Sequence, residues 1–315
     1  MFTESKIKSD KLDQFPLVSI VIPTYNCSLY LEEAIESVLQ QDYPKIELIV
    51  LNDGSTDKTE AILQKYTGRL HWETHSNIGQ AMTLNRGWQM SKGEMLGYLS
   101  ADDALLPNAV STSVNYLSEH QDIAVTYCDY RLIDTNSRVV RQIRAPEFDY
   151  RDLVVKFVCQ PGPGAFFRRH LFEYAGGWDG HFKQIPDYDF WIRAGLYGDF
   201  LRIPRVLASF RIHEESQSFA RSDEFKAEES IRVMNKYYAL PNLSTDIIAA
   251  KNEAMSNATI AAARLHARAG RYRKFLVKLW NALCLYPKNL IKGHVLRMIL
   301  GGLFGRVRYK IKGLF

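Results

Sequence analysis

The chain has 315 residues, 46% hydrophobic, 24% charged and 12% aromatic, which excludes disordered, collagen-like and low-complexity chains and fits about two domains at roughly 150 residues each. The formal net charge of +5 is unevenly spread: residues 251–315 hold fourteen Lys and Arg against one acid, Glu253, a net +13, while the remainder is net −8. An acidic body argues against nucleic-acid chemistry, and a basic tail points to an anionic surface.

The four cysteines, Cys27, Cys128, Cys159 and Cys284, have no metal-binding spacing and read as reduced thiols of a cytoplasmic protein. Residues 1–15 form a charged extension without the apolar core of a secretory signal. No run reaches the ~20 apolar residues of a spanning helix, so membrane contact is expected to be peripheral, at the inner face of the cytoplasmic membrane.

In chain order, the apolar run Leu17 to Ile22, ending at Pro23, predicts a strand buried on both faces. Ser28 is positioned to cap a helix from Leu29 to Gln41. Ile46 to Leu51 predicts the second strand, followed by the loop Asn52 to Asp57 and a helix through Ala61, Ile62 and Tyr66. A third strand at Leu70 to Glu73 leads through Asn77-Ile-Gly79 into a helix over Gln80 to Met90. Met95 to Leu99 is the fourth strand; it ends in Ser100-Ala-Asp-Asp103, and Pro107 opens another helix. This β-α-β alternation defines an open α/β sheet, in which loops at the carboxyl ends of strands form the ligand crevice.

From Ile123 the alternation gives way to mixed sheet. Strands are expected at Ala124 to Tyr127, Tyr130 to Ile133, Arg138 to Ile143, Ala165 to Phe167, Phe200 to Ile203 and Val206 to Ile212. Helices are expected from Arg169 to Gly176 and from Asp187 to Leu196. The body, 16–219, is expected to end near Phe219. Residues 220–315 then form a basic helical appendage, with helices at Phe225 to Tyr238, Thr245 to Ala269 and Arg271 to Leu285.

Asp102 and Asp103, adjacent acids at a strand end, can hold a hard divalent cation and a ribose or water; a solvated capped turn is the commoner explanation of such a pair taken alone, and their place beside two other strand-end loops favours the functional reading. Asp53, followed by Gly54, can face the crevice or cap a turn. Tyr25 offers a face for stacking a base, and Asn26 a donor and an acceptor. Asp187 and Asp189 lie at a helix start, where carboxylates either serve chemistry or cap the helix. His213 lies beyond a strand end, where a lone histidine is commonly structural.

Taken together, Val18 to Asn26, Leu51 to Asp57, Asn77-Ile-Gly79, Ala101-Asp-Asp103, Gly176-Gly-Trp-Asp179 and Asp187 to Trp191 resemble the family-2 glycosyltransferases of the GT-A fold, in order and spacing over about residues 15–219. The resemblance implies an inverting transfer from a nucleotide diphosphate sugar, commonly UDP-linked, to a glycan or lipid-linked acceptor in surface polysaccharide assembly. It also implies assistance by Mn2+ or Mg2+. Pro23, Tyr25, Asn26, Asp53, Asn77, Gly79 and Asp102 would line the nucleotide, with Tyr25 and Asp53 at the base and Asp102 at the ribose. Asp103 would ligate the metal, with His213 as a further contact and Arg211 near the diphosphate. Gly162, Gly164, Trp178 and Asp179 would border the donor sugar and acceptor, where absent side chains let a pyranose approach. Asp187 would be the general base, with Asp189 as second candidate, because Pro186 stands where relatives often have an acid. Two other readings are a sugar nucleotidyltransferase and a catalytically silent nucleotide-binding module docked on a membrane. The first needs a glycine-rich loop after its first strand, and Pro23 to Tyr30 has no glycine.

Overall fold

The computed structural model describes residues 15–213, 222–293 and 295–296. The boundary expected at Phe219, most of the N-terminal extension and the basic tail from 297 onward lie outside the described residues. The first half of the chain runs β1 (Val18–Thr24), α1 (Leu31–Leu39), β2 (Ile46–Asn52), α2 (Thr59–Gln64), β3 (His71–Thr74), α3 (Gln80–Met90), β4 (Met95–Tyr98), β5 (Ala104–Leu105) and α4 (Ala109–Glu119). Then come β6 (Ile123–Ile133), β7 (Val139–Ile143), α5 (Tyr150–Val155), β8 (Phe166–Arg168), α6 (Arg169–Ala175), α7 (Pro186–Ala194) and β9 (Asp199–Arg211). The C-terminal helices are α8 (Glu224–Ala227), α9 (Glu229–Tyr237), α10 (Thr245–Ala249), α11 (Lys251–Arg268) and α12 (Tyr272–Leu285), followed by a 3₁₀ turn at Pro287–Ile291.

The described residues divide into two compact units. The first holds 15–147, Gln160–Gly180 and Ala194–Arg211; the second holds Phe148–Cys159, His181–Arg193 and the residues from Ile212 onward.

In the first unit the strands form one sheet in the order β3-β2-β1-β4-β8-β6-β9-β5, with β7 on β6. The β3-β2-β1-β4 portion is parallel, and every residue of β1 is buried, as a strand covered on both faces requires. The order reverses between β1 and β4, which is the switch point where an open sheet leaves a crevice. Pairing of β1 with β4 stops at Val21 opposite Tyr98, so Pro23 continues the strand without an amide being needed on that side. Val18, Ile20, Ile22, Leu31, Ile35, Val50, Leu63 and Val110 make up one core beneath the sheet.

Several elements differ from the sequence reading. Ser28 does not cap α1: Cys27 O accepts from the Tyr30 and Leu31 amides, the helix starts at Leu31, and the Ser28 amide donates to Asp57 Oδ2 at 3.0 Å. Pro107 lies ahead of α4, whose N-cap is Asn108 in the left-handed region. The pairs of short strands expected at 124–133 and 200–212 are two long strands, β6 and β9. They run parallel, with register shifts at Ile123/Val125, Cys128/Asp129 and Asp129/Tyr130. Arg202 clamps the shifted region by donating to both Asp129 oxygens and to Glu147.

In the second unit, α11 packs on α12 through small residues. Ala263 and Ala267 meet Phe275, and Ile260 meets Ala282 and Val295. Buried amides tie the unit internally: Asn257 Nδ2 donates to Val155 O, and Asn289 Nδ2 to Asn257 Oδ1. The helix expected over 245–269 is broken at Ala250, which ends α10 and precedes α11. No helix of the described residues is long and apolar enough to cross a membrane.

Candidate active site

Three strand-end loops of the first unit are tied into one frame. After β1, Asn26 takes φ 48°, a conformation asparagine tolerates. Its amide donates to Ser55 Oγ, and its Oδ1 accepts from the Thr56 amide at 2.8 Å. After β2, the buried Asp53 carboxylate accepts from the Ile78 amide at 2.6 Å and the Gly79 amide at 2.9 Å, while Asn77 Nδ2 donates to Asp53 O. Gly54 has φ 74°, and a Cβ there would lie 2.9 Å from the Asn77 nitrogen, so only glycine fits between the loops. Asp53 thus organises the Asn77-Ile-Gly79 turn and the start of α3. Tyr25, at 53% exposure, presents its ring to solvent beside this frame.

After β4, Asp103 is buried and Asp102 half-buried. Asp103 Oδ1 accepts from the Arg211 amide at 2.9 Å, and Asp102 O accepts from Arg211 Nε at 2.8 Å. The same guanidinium, with no solvent exposure, donates to Asp134 O and Ser137 Oγ, pairs with Glu33 at 2.7 Å and covers the Tyr30 ring at 4.5 Å. Arg211 therefore faces inward, and the expected diphosphate contact is corrected to a clamp on the acidic loop. The two-residue strand β5, paired antiparallel with Ala208 and Ser209, brings the end of β9 to this loop. Burial, with the Asp102 charge next to it, pushes the Asp103 carboxyl well above the usual carboxylate range. Burial likewise pushes the nearby Cys27 thiol up to about 12, with Asp102 adding to it.

The glycine reading is also corrected. A Cβ on Gly162 would meet the Tyr130 ring at 3.1 Å, and on Gly164, at φ 77°, Ala208 and Cys128 at 3.0 and 3.1 Å. Their bare sides face the protein itself and let this segment pack on β6 and β9. Trp178 is a buried ring stacked edge-on with Trp88 and Tyr98, and its backbone is held by Asn85. It belongs to the core instead of offering a sugar platform, whereas Asp179 beside it is half-buried.

In the second unit, Asp187 and Asp189 have different surroundings. Asp189 is buried and bonded to Arg193 at 2.7 Å and Lys236 at 3.0 Å. Asp187 is half-buried, and desolvation raises its carboxyl, against hydrogen bonds from its own and the Tyr188 amide. Glu229 accepts from the Lys183, Gln184 and Ile185 amides, fixing the entry to α7, and Tyr188 Oη donates to Leu153 O. His213, half-buried, also belongs to this unit.

The Asp102–Asp103 pair fits a hard divalent cation: both are oxygen donors, and Asp103 is buried with a like charge beside it. Among the described residues no three His, Cys, Asp or Glu side chains gather to hold a metal. Such a cation would take the remainder of its shell from phosphates and water, as Mg2+ commonly does.

Residues 19–175 match Glycosyl transferase family 2. An uncharacterized glycosyltransferase of Rickettsia typhi is 36% identical over 214 residues, 63% of this chain and 65% of that protein. Chondroitin synthase of Escherichia coli is 28% identical over 237 residues, 74% of this chain and 34% of the synthase. The chain thus spans 65% or less of the length of these relatives. Among solved structures, S. aureus TarS 1-349 in complex with UDP-GlcNAc superposes with a TM-score of 0.61 at 17% identity, covering 86% of this chain and 92% of that one. The mannosyltransferase PcManGT from Pyrobaculum calidifontis, in complex with GDP-Man and Mn2+, gives 0.56 at 20% identity, covering 93% and 89%. The fold is GT-A, and the chain belongs to glycosyl transferase family 2 through residues 19–175.

The neutral form of Asp103 is favoured in the fold, so the folded protein holds a proton that the unfolded chain has released. The contribution of Asp103 to the stability of the metal-free protein is therefore expected to fall as pH rises from the ordinary carboxylate value toward the raised one. Asp103→Asn keeps an oxygen for the Arg211 amide and removes this contribution from the profile. Urea unfolding in chelator between about pH 4 and 7 checks this; parallel profiles for the two proteins contradict it.

Proposed function

We propose that the chain transfers a sugar from a nucleoside diphosphate sugar, uridine-linked, to a hydroxyl of a glycan or lipid-linked acceptor in surface polysaccharide assembly, with inversion at the anomeric carbon. The observation that carries this reading is the Asp102–Asp103 pair at the β1/β4 switch point, held by Arg211 within a family-2 domain. The UDP-GlcNAc complex of TarS supports uridine, and the polysaccharide synthases among the relatives support a glycan product.

On this reading Tyr25 stacks on the base, while Asp53, with both oxygens given to backbone amides, shapes the surrounding turn. Asp102 accepts from the ribose. Asp103 would hold Mn2+ or Mg2+, which when bound supplies charge neutralisation for the departing nucleoside diphosphate; His213 lies in the second unit and is given no role at the cation. Asp187 takes the proton of the acceptor hydroxyl. Its raised pKa makes it a stronger base than an exposed carboxylate, and the ion pairs of Asp189 favour Asp187 over it. A single base suffices for one direct displacement, which inverts the configuration.

The basic C-terminal region suits an anionic membrane surface, where lipid-linked acceptors reside. The outer face of α12 supports this: Tyr272, Leu276, Val277 and Trp280 are exposed on a helix whose opposite side packs on α11. Apolar insertion and the +13 charge act together, at about 1 kcal/mol for each Lys or Arg near such a surface.

Asp187→Asn is expected to lower kcat by about a hundredfold or more with nucleotide affinity unchanged, and the acid limb of the wild-type rate profile lies above the ordinary carboxylate value. The anomeric coupling constants of early product are expected to show inversion. An undiminished rate in the variant, or a retained configuration, contradicts the mechanism.

For the membrane, the full chain is expected to pellet with anionic but not neutral vesicles and to be released by salt. A chain ending at Tyr286, and separately the Leu276→Ser/Trp280→Ser variant, are expected to bind at least about tenfold less. Binding equal to that of the full chain in both contradicts it.

A further inference from the structure

The second unit contains a cavity of about 300 Å³, at the lower end for small-molecule sites. Asp187 lies in its wall, and the apolar residues there are Phe157, Ile185, Ala261 and Leu265, drawn from the segment after α5, the entry to α7 and α11. Glu229 serves three backbone amides, and Arg264 and Arg268 have partners within the protein, so charge does not define what enters.

Phe157 is the residue of this wall that local structure does not explain. It follows Lys156, the C-cap of α5, with φ 57°, in the left-handed region where helices commonly place glycine. A side chain with a Cβ is strained there, and a bulky one more than a short polar one. The other described non-glycine residues at positive φ are three asparagines and a serine: Asn26, Asn108, Asn242 and Ser137. Phe157 therefore keeps its ring at a cost that glycine or asparagine would avoid. Part of that ring is used inside the fold, 4.3 Å from the Tyr188 ring at 42°. Tyr188 is anchored without it, being buried with its hydroxyl bonded to Leu153 O. What Phe157 supplies beyond that contact is a half-buried aromatic surface on the wall that holds Asp187.

The C–H face of a pyranose is apolar and lies flat on an aromatic ring, while its hydroxyls project around the edge toward polar groups. A wall with one aromatic ring, three aliphatic side chains and a carboxylate matches that division. We infer that this cavity is the acceptor subsite and that Phe157 is its stacking platform: the acceptor presents a pyranose ring on Phe157, with the hydroxyl to be glycosylated at Asp187. In transfer, that hydroxyl's proton passes to Asp187, its oxygen bonds the anomeric carbon, and the electrons of the broken bond leave with the nucleoside diphosphate. The volume suits a single ring, the terminal residue of a glycan or glycolipid. The inference rests on Asp187 being the base, and it adds the acceptor's chemical class: a sugar hydroxyl instead of a lipid phosphate.

The test titrates the full chain, with UDP and Mn2+ present, against the methyl β-pyranosides of glucose, galactose, N-acetylglucosamine and N-acetylgalactosamine. Glycerol serves as a hydroxyl compound without a ring. Phenylalanine ring NMR signals are followed, that of Phe157 being assigned by its loss in Phe157→Asn, and affinity is read from saturation transfer to the sugar protons. At least one glycoside is expected to shift the Phe157 signal saturably, and glycerol to leave it unmoved. Phe157→Asn, whose side chain tolerates the left-handed backbone, is expected to weaken that glycoside at least about tenfold, and Phe157→Tyr to retain most of the affinity. Leu265→Gln, which keeps helix propensity, is expected to weaken it too, and reads the same wall should Phe157→Asn fail to fold. In transfer from a UDP-sugar, Phe157→Asn raises KM for the glycoside with kcat little changed, and leaves hydrolysis of the UDP-sugar by water unaltered. No saturable shift with any glycoside, equal affinity in the wild-type and Asn proteins, or a loss in kcat with KM unchanged overturns the inference. Failure of the base reading looks different: Asp187→Asn would then keep its rate of transfer while the glycoside titration stands.

Discussion

A guanidinium without solvent contact sets the geometry on which the candidate donor site depends. Arg211 is the last residue of β9, yet its amide and side chain meet the loop after β4, the turn before β7 and the first turn of α1. Burying a cation is costly unless its donors are matched, and here they meet two carbonyls, a hydroxyl, a carboxylate and an aromatic face. The result is that two mutually repelling acids are held at the switch point of the sheet. Stability is given up at Asp103, in the form of a desolvated carboxyl.

Asp53 does comparable work one loop away. Its two oxygens take the amides that open α3, so the loops after β1, β2 and β3 are joined in one frame beside the exposed Tyr25. The side chains expected to touch nucleotide therefore separate into the exposed Tyr25 and the half-buried Asp102 on one hand, and those that hold the frame, Asp53, Asn77 and Arg211, on the other. In the second unit the same division distinguishes Asp187, which lines a cavity, from Asp189, which is held by Arg193 and Lys236.

The parallel half of the sheet was legible in the sequence because β1 and β2 are buried on both faces and read as continuous apolar runs bounded by turn residues. The strand-end acids were legible because motif order fixes their position in the topology. What was not legible depends on distance along the chain. Glu33 and Arg211 are 178 residues apart, and no local signal in a helix first turn announces such a partner. Gly162 and Gly164 looked like space left for a ligand, but a glycine in sequence does not say what occupies its empty side, and here it is Tyr130, Ala208 and Cys128. Strand β5 is two residues long and carries no periodicity, and the break at Ala250 lies inside an alanine-rich run with uniform helix propensity. The grouping of α5, and of α7 as far as Arg193, with the C-terminal helices in one compact unit is likewise a long-range property.

The central claim is that Asp102 and Asp103 make a cation-assisted site for a nucleoside diphosphate sugar. Calorimetric titration of the full chain with UDP- and GDP-sugars, in Mn2+, Mg2+ or chelator, tests it most directly. The account predicts saturable binding of a UDP-sugar in Mn2+ or Mg2+, at least about tenfold weaker in chelator and in Asp103→Asn. Binding of equal strength with and without cation, or unaltered by Asp103→Asn, would contradict it.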